Sequence, residues 1–262
     1  MQTARHEGCE HPAHGRGAQP AHPRARPRGE GNGSFSYPID LFDKLTRRIK
    51  SKDYHDYVIK NGKFIGAFEE MYQNIEDPWH HGDATATQYD IALYLMNRYN
   101  VCARGGEVLD IGCGKGAFTA RLKKQIPSAH ILAIDIAPTA IKKAKEKYGD
   151  LGIDFKVCDI QNEYQSITQE FDLIVMSQLM WYVLPKFEKI VTHLKEHNLK
   201  SGGYLLVNQT FYAPHEQKYG KEFVSSVEDM LRLMKMDIVE MTELNRLGNH
   251  NAVILFKKGS GR

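Results

Sequence analysis

Cysteine is scarce in this chain of 262 residues, which contains four cysteines and no C-x-x-C pair. This spacing argues against a disulfide framework and favours a reducing compartment. No run of 18 apolar residues is present, and the most hydrophobic segment, residues 171–184, is interrupted by polar side chains. That segment predicts a buried strand and its continuation rather than a membrane span. The N-terminus also lacks the apolar stretch of a secretory signal, so we expect a soluble, cytoplasmic protein without a membrane partner.

Net charge is also small, at +3 with neutral histidines. Residues 1–34 contain five Arg and three Glu, and the last residue is an Arg, which together account for all of it. Residues 35–258 therefore have no net charge and give no electrostatic reason to expect a nucleic-acid partner. Apolar residues make up 42% of the chain and charged residues 26%, a composition typical of globular domains.

The chain divides into three predicted parts. Residues 1–34 consist mostly of Gly, Ala, Arg, Pro and His, which bury too little surface to offset ordering entropy, so they predict a disordered tail or a non-native leader. Residues 35–100 show helical periodicity and predict an N-terminal helical cap. Residues 101–258 alternate strand and helix patterns, which favours an α/β domain. We expect a Rossmann-like sheet of seven mostly parallel strands with helices on both faces.

Two helices are predicted in the cap, over residues 63–75 and 84–99, with Asp83 as the N-cap of the second. Their apolar faces comprise Phe64, Ile65, Phe68, Met71 and Tyr72 in the first helix, and Tyr89, Ala92, Leu93, Met96 and Tyr99 in the second. Residues 76–83 between them form a loop with Pro and Gly that contains Trp79, His80 and His81. We expect Trp79 to cover a bound ligand, because a polar loop gives a tryptophan little reason to be there for packing.

The strongest functional signal is VLDIGCGKGAF at residues 108–118. A hydrophobic strand reaches Asp110, and Gly112, Gly114 and Gly116 occupy the turn into the next helix. Glycine lets the backbone bend sharply there and lets a ligand approach closely. The helix N-terminus offers unpaired N–H groups to an anionic group. These residues also satisfy the loose G-x-G-x-x-G/A pattern of dinucleotide binders, so the turn alone is ambiguous.

Three aspartates at successive strand ends separate the alternatives. Asp110 can meet the ammonium of an amino-acid moiety but would repel a pyrophosphate. Asp135 ends the next strand, where a carboxylate accepts hydrogen bonds from a ribose diol. Asp159 follows a third strand and is placed to bind an adenine amine. Together they predict S-adenosylmethionine (SAM) as cofactor, with S-adenosylhomocysteine as product, and disfavour an NAD-dependent oxidoreductase.

At this point the chain resembles a known group. The segments DIGCGKG, IDIAPTAIKKAK, CDIQ and FDLIVMSQLMWYVL are similar to the SAM-binding motifs of class I methyltransferases. Within that group the chain most resembles the nodulation protein S family, which N-methylates the amino sugar of a chitooligosaccharide precursor. The likeness runs from about Phe68 to Lys257 and includes the DPW of residues 77–79. Cofactor contacts are predicted at Trp79, Asp110, Gly112, Cys113, Gly114, Gly116, Asp135, Ile136, Asp159, Ile160 and Ser177.

The acceptor side is less well marked. The family tends to have an acidic residue in the loop after the fourth strand, where this chain has Gln178, whose amide can orient an amine without holding it charged. A hydroxyl acceptor would instead need a general base, for which His80 and His81 are the available imidazoles. Trp181 and Tyr182 are predicted to contact the acceptor, with core packing as the alternative for one of the two.

These residues predict methyl transfer from SAM to a small molecule, with N-methylation of an amine or amino sugar favoured. O-methylation of a small hydroxylated metabolite and SAM binding without turnover are the alternatives. No metal site is expected, because Cys9, His11 and His14 have a spacing that fits no closed tetrahedral site. The small-molecule acceptor is the expected partner, and the chain is expected to be a monomer or a homodimer.

Overall fold

A seven-stranded sheet is the centre of the computed structural model, which describes residues 51–79, 86–213, 215–217, 219–246 and 249–259. Its strands, numbered along the chain, are β1 (Gly106–Ile111), β2 (Ala129–Asp135), β3 (Asp154–Val157), β4 (Phe171–Ser177), β5 (Leu199–Phe211), β6 (Asp237–Arg246) and β7 (Asn249–Lys257). They are ordered β3-β2-β1-β4-β5-β7-β6 across the sheet. Strands β1 to β5 are parallel, and β7 runs antiparallel to β5 and β6. The predicted mostly parallel sheet is confirmed.

Helices precede the sheet and connect its strands. They are α1 (His55–Val58), α2 (Phe68–Asn74), α3 (Ala86–Arg98), α4 (Ala117–Gln125), α5 (Pro138–Tyr148), α6 (Ile160–Glu163), α7 (Met180–Val183), α8 (Phe187–His193) and α9 (Val227–Met234). Shorter elements are 3₁₀ turns at Gly149–Leu151, Tyr164–Ser166 and Leu184–Lys186, a π-helical turn at Leu194–Asn198, and a hairpin of Ile59–Lys60 with Lys63–Phe64. Within the described ranges, no helix has both the length and the apolarity needed to cross a membrane.

Both faces of the sheet are buried, because its central strands have apolar side chains at consecutive positions. In β1, Val108 packs into a cluster with residues of α3, α4 and α5. The next residue, Leu109, points to the opposite face and packs into a cluster with residues of α8 and α9. Helices therefore cover both faces, as predicted.

The first predicted cap helix begins later than its periodicity indicates. Phe64 lies in the short hairpin, and Gly66 follows with a φ of +68°, so α2 begins only at Phe68. The left-handed backbone at Gly66 ends the hairpin and is incompatible with a continuous helix. In α3 the buried face includes Leu95, whereas Leu93 is only half-buried. The predictions for residues 1–34, His80, His81 and Asp83 lie outside the described residues.

The strand order places a ligand site at one edge of the sheet. From β1 the chain continues to β2 on one side, and β4 pairs with β1 on the other side. Ligands bind at such a switch point in open parallel sheets, beyond the carboxyl ends of the strands. Gly112, Asp135 and Ser177 lie at those ends of β1, β2 and β4.

Candidate active site

A cavity of about 350 Å³ lies at this edge of the sheet. That volume is within the range of small-molecule sites. The predicted site residues that line it are Trp79, Gly112, Gly114, Asp135, Ile136, Asp159, Ile160, Ser177, Gln178 and Tyr182. Four others, Asp110, Cys113, Gly116 and Trp181, do not line it, and the two histidines are outside the described residues. The structure thus brings most of the predicted set into one space.

The glycine turn forms the floor of the cavity. Its backbone is tied to β2, because the amides of Gly112 and Cys113 both donate to the carbonyl of Ile134, at 2.8 and 3.0 Å. Gly114 has a φ of +54°, and a Cβ there would lie 2.9 Å from the hydroxyl of Tyr72. Gly114 therefore meets both the backbone and the space requirement that only glycine satisfies, and it leaves room for a ligand beside the turn.

The third glycine has a packing role. A Cβ on Gly116 would lie 2.9 Å from the ring of Phe155 and 3.3 Å from Ala144. Its hydrogen-only side chain lets the start of α4 pack closely against β3 and α5. Burial raises the pKa of the Cys113 thiol well above its ordinary value, which disfavours the thiolate form.

Asp135 is held rigidly at the end of β2. One carboxylate oxygen accepts from the amide of Gly114 and the other from the amide of Ala137, each at 2.9 Å. Burial raises the pKa of this carboxyl to about 6, although both backbone donors oppose the shift. The anchored carboxylate lines the cavity and has further lone pairs to offer a ligand hydroxyl.

Asp110 lies behind the turn rather than in the cavity. It is 2% exposed, and its carboxylate accepts a hydrogen bond from the hydroxyl of Thr119 at 2.6 Å. Burial raises its pKa to about 6. The sequence predicts that Asp110 contacts an ammonium group directly. For that contact the carboxylate would have to turn away from Thr119 and towards the cavity.

Next to Asp135, two isoleucines and a second carboxylate line the cavity. Asp159 caps α6, with one carboxylate oxygen accepting from the amide of Gln161 at 3.0 Å and the other from the side chain of Asn162 at 2.6 Å. Ile136 and Ile160 also line this part, and Ile136 is 40% exposed although it is large and apolar. This part of the cavity therefore offers a ligand two apolar side chains and a carboxylate.

Gln178, directly after β4, has a left-handed backbone with a φ of +55°. Both polar atoms of its side chain are engaged: Nε2 donates to Gln88 Oε1 at 2.8 Å, and Oε1 accepts from the amide of Thr210 at 3.1 Å. The backbone amide donates to the carbonyl of Asn208 at 2.7 Å. These bonds hold a conformation that is unfavourable for a residue with a Cβ. Gln178 therefore shapes the cavity wall.

The residues that hydrogen-bond to Gln178 and hold it in place were not identified from the sequence. Gln88, buried on α3, also donates to Asn251 on β7, and Asn251 accepts from the hydroxyl of Thr210 at 2.6 Å. These amides lie in separate segments of the chain, and an isolated polar residue within a helical pattern appears solvent-exposed in a sequence. Their juxtaposition could not be recognised from spacing.

Aromatic side chains form a further wall of the cavity. Trp79 lines the cavity, and its indole donates to the hydroxyl of Tyr72 at 2.7 Å. Burial raises the pKa of Tyr72 well above its ordinary value. The other aromatic residues of the wall are Tyr54, Phe68, Tyr182 and Tyr212. The sequence identified Trp79 and Tyr182, while Tyr72 was assigned to an apolar helix face and Tyr54 and Tyr212 had no signal.

Of the two residues predicted to contact the acceptor, Tyr182 lines the cavity and Trp181 does not. The indole of Trp181 is 6% exposed, donates to the carbonyl of Thr210 at 2.8 Å and packs against the rings of Phe211 and Tyr212. Successive residues of α7 point in different directions, so only one of the pair can face the cavity. The alternative of core packing applies to Trp181.

Comparison with known proteins identifies the family. A family model described as a methyltransferase domain matches residues 103–251, more than half of the chain. The chain belongs to this family.

The methyltransferase has curated relatives with several acceptors. Malonyl-[acyl-carrier protein] O-methyltransferase of Anoxybacillus flavithermus is 32% identical over 131 residues, which are 48% of this chain and 49% of that protein. Nodulation protein S of Bradyrhizobium diazoefficiens is 32% identical over 111 residues, 42% of this chain and 50% of that protein. The chain therefore spans about half the length of these relatives.

Solved structures agree on the fold. The crystal structure of N-methyltransferase NodS from Bradyrhizobium japonicum WM9, in complex with S-adenosyl-L-homocysteine, superposes with a TM-score of 0.56 at 21% identity, over 70% of this chain and 92% of that one. The Rossmann-like fold and the resemblance to nodulation protein S are thereby confirmed, and the family and the S-adenosyl-L-homocysteine bound in that neighbour agree with SAM as the predicted cofactor. SAM also suits the cavity, whose glycine turn leaves open the space that a Cβ would fill.

Proposed function

We propose that this methyltransferase transfers the methyl group of SAM to the nitrogen of a small-molecule amine. The observation that carries the proposal is the division of charge in the cavity. Its carboxylates among the described residues are Asp135, which ends β2, and Asp159, two residues after β3, both on one side of the glycine turn. On the other side, after β4 and β5, the described lining consists of amide, hydroxyl and aromatic groups without imidazole, ammonium or guanidinium.

The side with the carboxylates suits the cofactor. Asp135 would accept hydrogen bonds from the ribose hydroxyls, since its orientation is already set by two backbone amides. Asp159 would bind the adenine amine, with the ring between Ile136 and Ile160. The amino-acid portion would lie along Gly112 and Gly114, where the backbone is open to close approach. This assignment leaves the aromatic wall for the acceptor, including Trp79, which the sequence predicts at the cofactor.

The chemistry required of the protein is modest. SAM supplies an electrophilic methyl group on a sulfonium, and the chain aligns the acceptor atom with it and excludes water. An amine nucleophile must be neutral, so a carboxylate beside it would raise its pKa and hinder transfer. Gln178 and the aromatic rings place no negative charge there. A hydroxyl nucleophile would instead need a base.

The names of the relatives do not select the acceptor atom. They include O-methyltransferases acting on malonyl-[acyl-carrier protein] and in ubiquinone biosynthesis, as well as nodulation protein S. The neutral character of the acceptor side supports nitrogen over oxygen. Amino sugars and simpler amines are the acceptor classes that follow.

Matched acceptor pairs test the proposal. Transfer from isotopically labelled SAM is measured to glucosamine and glucose, and to N-methylaniline and phenol, at pH 8, where the amines are largely neutral. We expect transfer to the amines only. We further expect His80→Ala and His81→Ala to change the rate with the amine by less than about threefold, because no base is needed. Transfer only to hydroxyls, lost in either histidine variant, would establish O-methylation instead.

A further inference from the structure

Four rings of the aromatic wall contact one another in series, each packing against the next. The ring centroids of Tyr54 and Trp79 are 5.1 Å apart, and those of Trp79 and Tyr182 are 5.5 Å apart. Phe68 adds a fourth ring, 5.2 Å from Tyr182. All four line the cavity.

Their relative orientations leave aromatic faces available to a ligand. The planes of Tyr54 and Trp79 are inclined by 55°, those of Trp79 and Tyr182 by 40°, and those of Phe68 and Tyr182 by 78°. None of these three pairs stacks in parallel, and Phe64, which does not line the cavity, stacks on Tyr182 with centroids 6.5 Å apart and planes inclined by 28°. The imidazole of His55 stacks on one face of Tyr54 at 4.0 Å, which supports that ring from behind.

The wall is electron-rich without being anionic. Burial raises the pKa of the Tyr182 hydroxyl well above its ordinary value, and that of Tyr54 is raised for the same reason and by the neighbouring hydroxyl of Tyr212. The tyrosines therefore stay neutral at physiological pH. Aromatic faces attract an organic cation through the ring quadrupole, most effectively in a desolvated site.

We propose that Tyr54, Phe68, Trp79 and Tyr182 form an aromatic box that recognises an alkylated nitrogen, so that secondary and tertiary amines are the preferred acceptors. This inference rests on the proposed N-methyltransferase function and specifies its substrate class. Ring faces make no directional hydrogen bond that a methyl group would break, so N-methyl groups are accepted where N–H groups gain little. A primary amine, whose ammonium form is strongly hydrated, benefits less.

Charge moves within the box during transfer. The nitrogen lone pair forms the new N–CH₃ bond while the S–CH₃ bond breaks and its electron pair stays on sulfur. The positive charge thus passes from sulfur to nitrogen, where the ring faces stabilise it. A secondary amine gives a tertiary ammonium that loses its proton to solvent, and a tertiary amine gives a quaternary ammonium that has none to lose.

Binding of a cation and its neutral isostere tests the box without turnover. Choline and 3,3-dimethylbutan-1-ol have the same shape and differ in charge, and both are titrated calorimetrically into protein saturated with S-adenosylhomocysteine. We expect choline to bind at least tenfold more tightly. Tyr182→Phe should keep this preference because it keeps the ring, and Tyr182→Leu should remove it. Phe223→Leu, at an exposed aromatic residue outside the cavity lining, is the control.

The affinity for S-adenosylhomocysteine, measured in each variant, shows that the variant is folded. Equal binding of choline and its isostere would overturn the box. Competition of choline with S-adenosylhomocysteine would also overturn it, because the rings would then enclose the cofactor rather than the acceptor.

A methylation series separates this inference from the function on which it rests. With labelled SAM, aniline, N-methylaniline and N,N-dimethylaniline should give rates that do not fall as methyl groups are added. Transfer to aniline alone, without a preference for choline, would overturn the box and leave N-methylation intact. Ring-dependent choline binding together with transfer only to hydroxyls would instead overturn N-methylation and support the box as a cation site.

Discussion

The indole Nε1 of Trp79 donates a hydrogen bond to the hydroxyl of Tyr72 across 2.7 Å. That hydroxyl lies 2.9 Å from the position a Cβ would take on Gly114. The segment before the sheet and the glycine turn therefore form one continuous wall of the cavity. A change at any of these three residues should alter the shape of the site. Single and double variants can separate the effect of each residue on ligand binding.

We expect Gly114→Ala to weaken S-adenosylhomocysteine binding at least tenfold, as measured by calorimetry. The new methyl group would contact the Tyr72 hydroxyl on a backbone with positive φ. Gly152→Ala is the matched control, because its φ is +69° and nothing lies within 4 Å of the added Cβ. It incurs the backbone strain of about 1–2 kcal/mol without the steric contact. Adding Tyr72→Phe to Gly114→Ala should restore part of the affinity, and equal losses in the two alanine variants would exclude a steric cause.

We expect Asp135→Asn to weaken S-adenosylhomocysteine binding by about 1.5–3 kcal/mol, the range for hydrogen bonds to a charged group. In the wild type, affinity should fall as pH decreases below about 6, since the carboxyl with a raised pKa then becomes protonated and loses acceptor capacity. The variant should lack this component of the pH profile. Asp154→Asn, which removes one partner of the surface ion pair with Lys156, should leave both affinity and profile unchanged. An unchanged affinity in a folded Asp135→Asn protein would place the ribose elsewhere.

We expect Asp110→Asn to stabilise the protein without cofactor above pH 6, by up to about 3 kcal/mol from a shift of roughly two pKa units. The pKa of Asp110 is raised to about 6 in the folded state, so its ionised form is a cost of folding above that pH. The advantage of the variant should shrink between pH 6 and pH 4, where the wild-type carboxyl becomes protonated. Denaturant unfolding across this pH range measures it.

Asp172 provides a control of opposite sign. Its partial burial is outweighed by hydrogen bonds from Lys200 and from the amide of Glu107, which hold the pKa of Asp172 below the ordinary value. Asp172→Asn should therefore lose stability above about pH 4. A gain in both variants, or a pH-independent effect of Asp110→Asn, would contradict the electrostatic explanation.

We expect Gln88→Leu to reduce kcat at least fivefold while the affinity for S-adenosylhomocysteine changes less than twofold. The substitution removes the Gln88 partner of both amides, leaving Gln178 Nε2 with the longer bond to Asn208 at 3.3 Å and Asn251 with the bond from Thr210. Loss of these buried hydrogen bonds costs about 1–3 kcal/mol of stability and loosens the strained Gln178 loop. Gln125→Leu is the control, since Gln125 also donates through its amide, to the carbonyl of Leu93, but at the surface. Equal effects of both substitutions on kcat would show that the buried network does not position the acceptor wall.

Most of the residues that we propose for the cofactor side of the cavity were recognisable from the sequence. The glycine turn, Asp135 and Asp159 each lie at the carboxyl end of a hydrophobic strand, and parallel strands place these ends at the same edge of the sheet. A hydrophobic strand followed by a polar residue or a glycine, repeated along the chain, therefore predicts that these residues meet at one edge of the sheet. The local pattern did not predict the direction in which each side chain points. Asp110 is adjacent to the turn in sequence, but the alternation of side chains in β1 directs it to Thr119 rather than to the cavity.

The acceptor half depended on the tertiary structure. Tyr54, Tyr72, Tyr182 and Tyr212 come from four separate segments, and buried aromatic residues at helical spacing indicate core packing as readily as a binding wall. The amide network of Gln88, Gln178 and Asn251 likewise joins a helix, a loop and the last strand. Strand-end motifs are encoded locally because the sheet geometry is common to all such domains. A wall of side chains from distant segments cannot be read from local patterns, because the packing of the helices before the sheet decides which of these side chains come together.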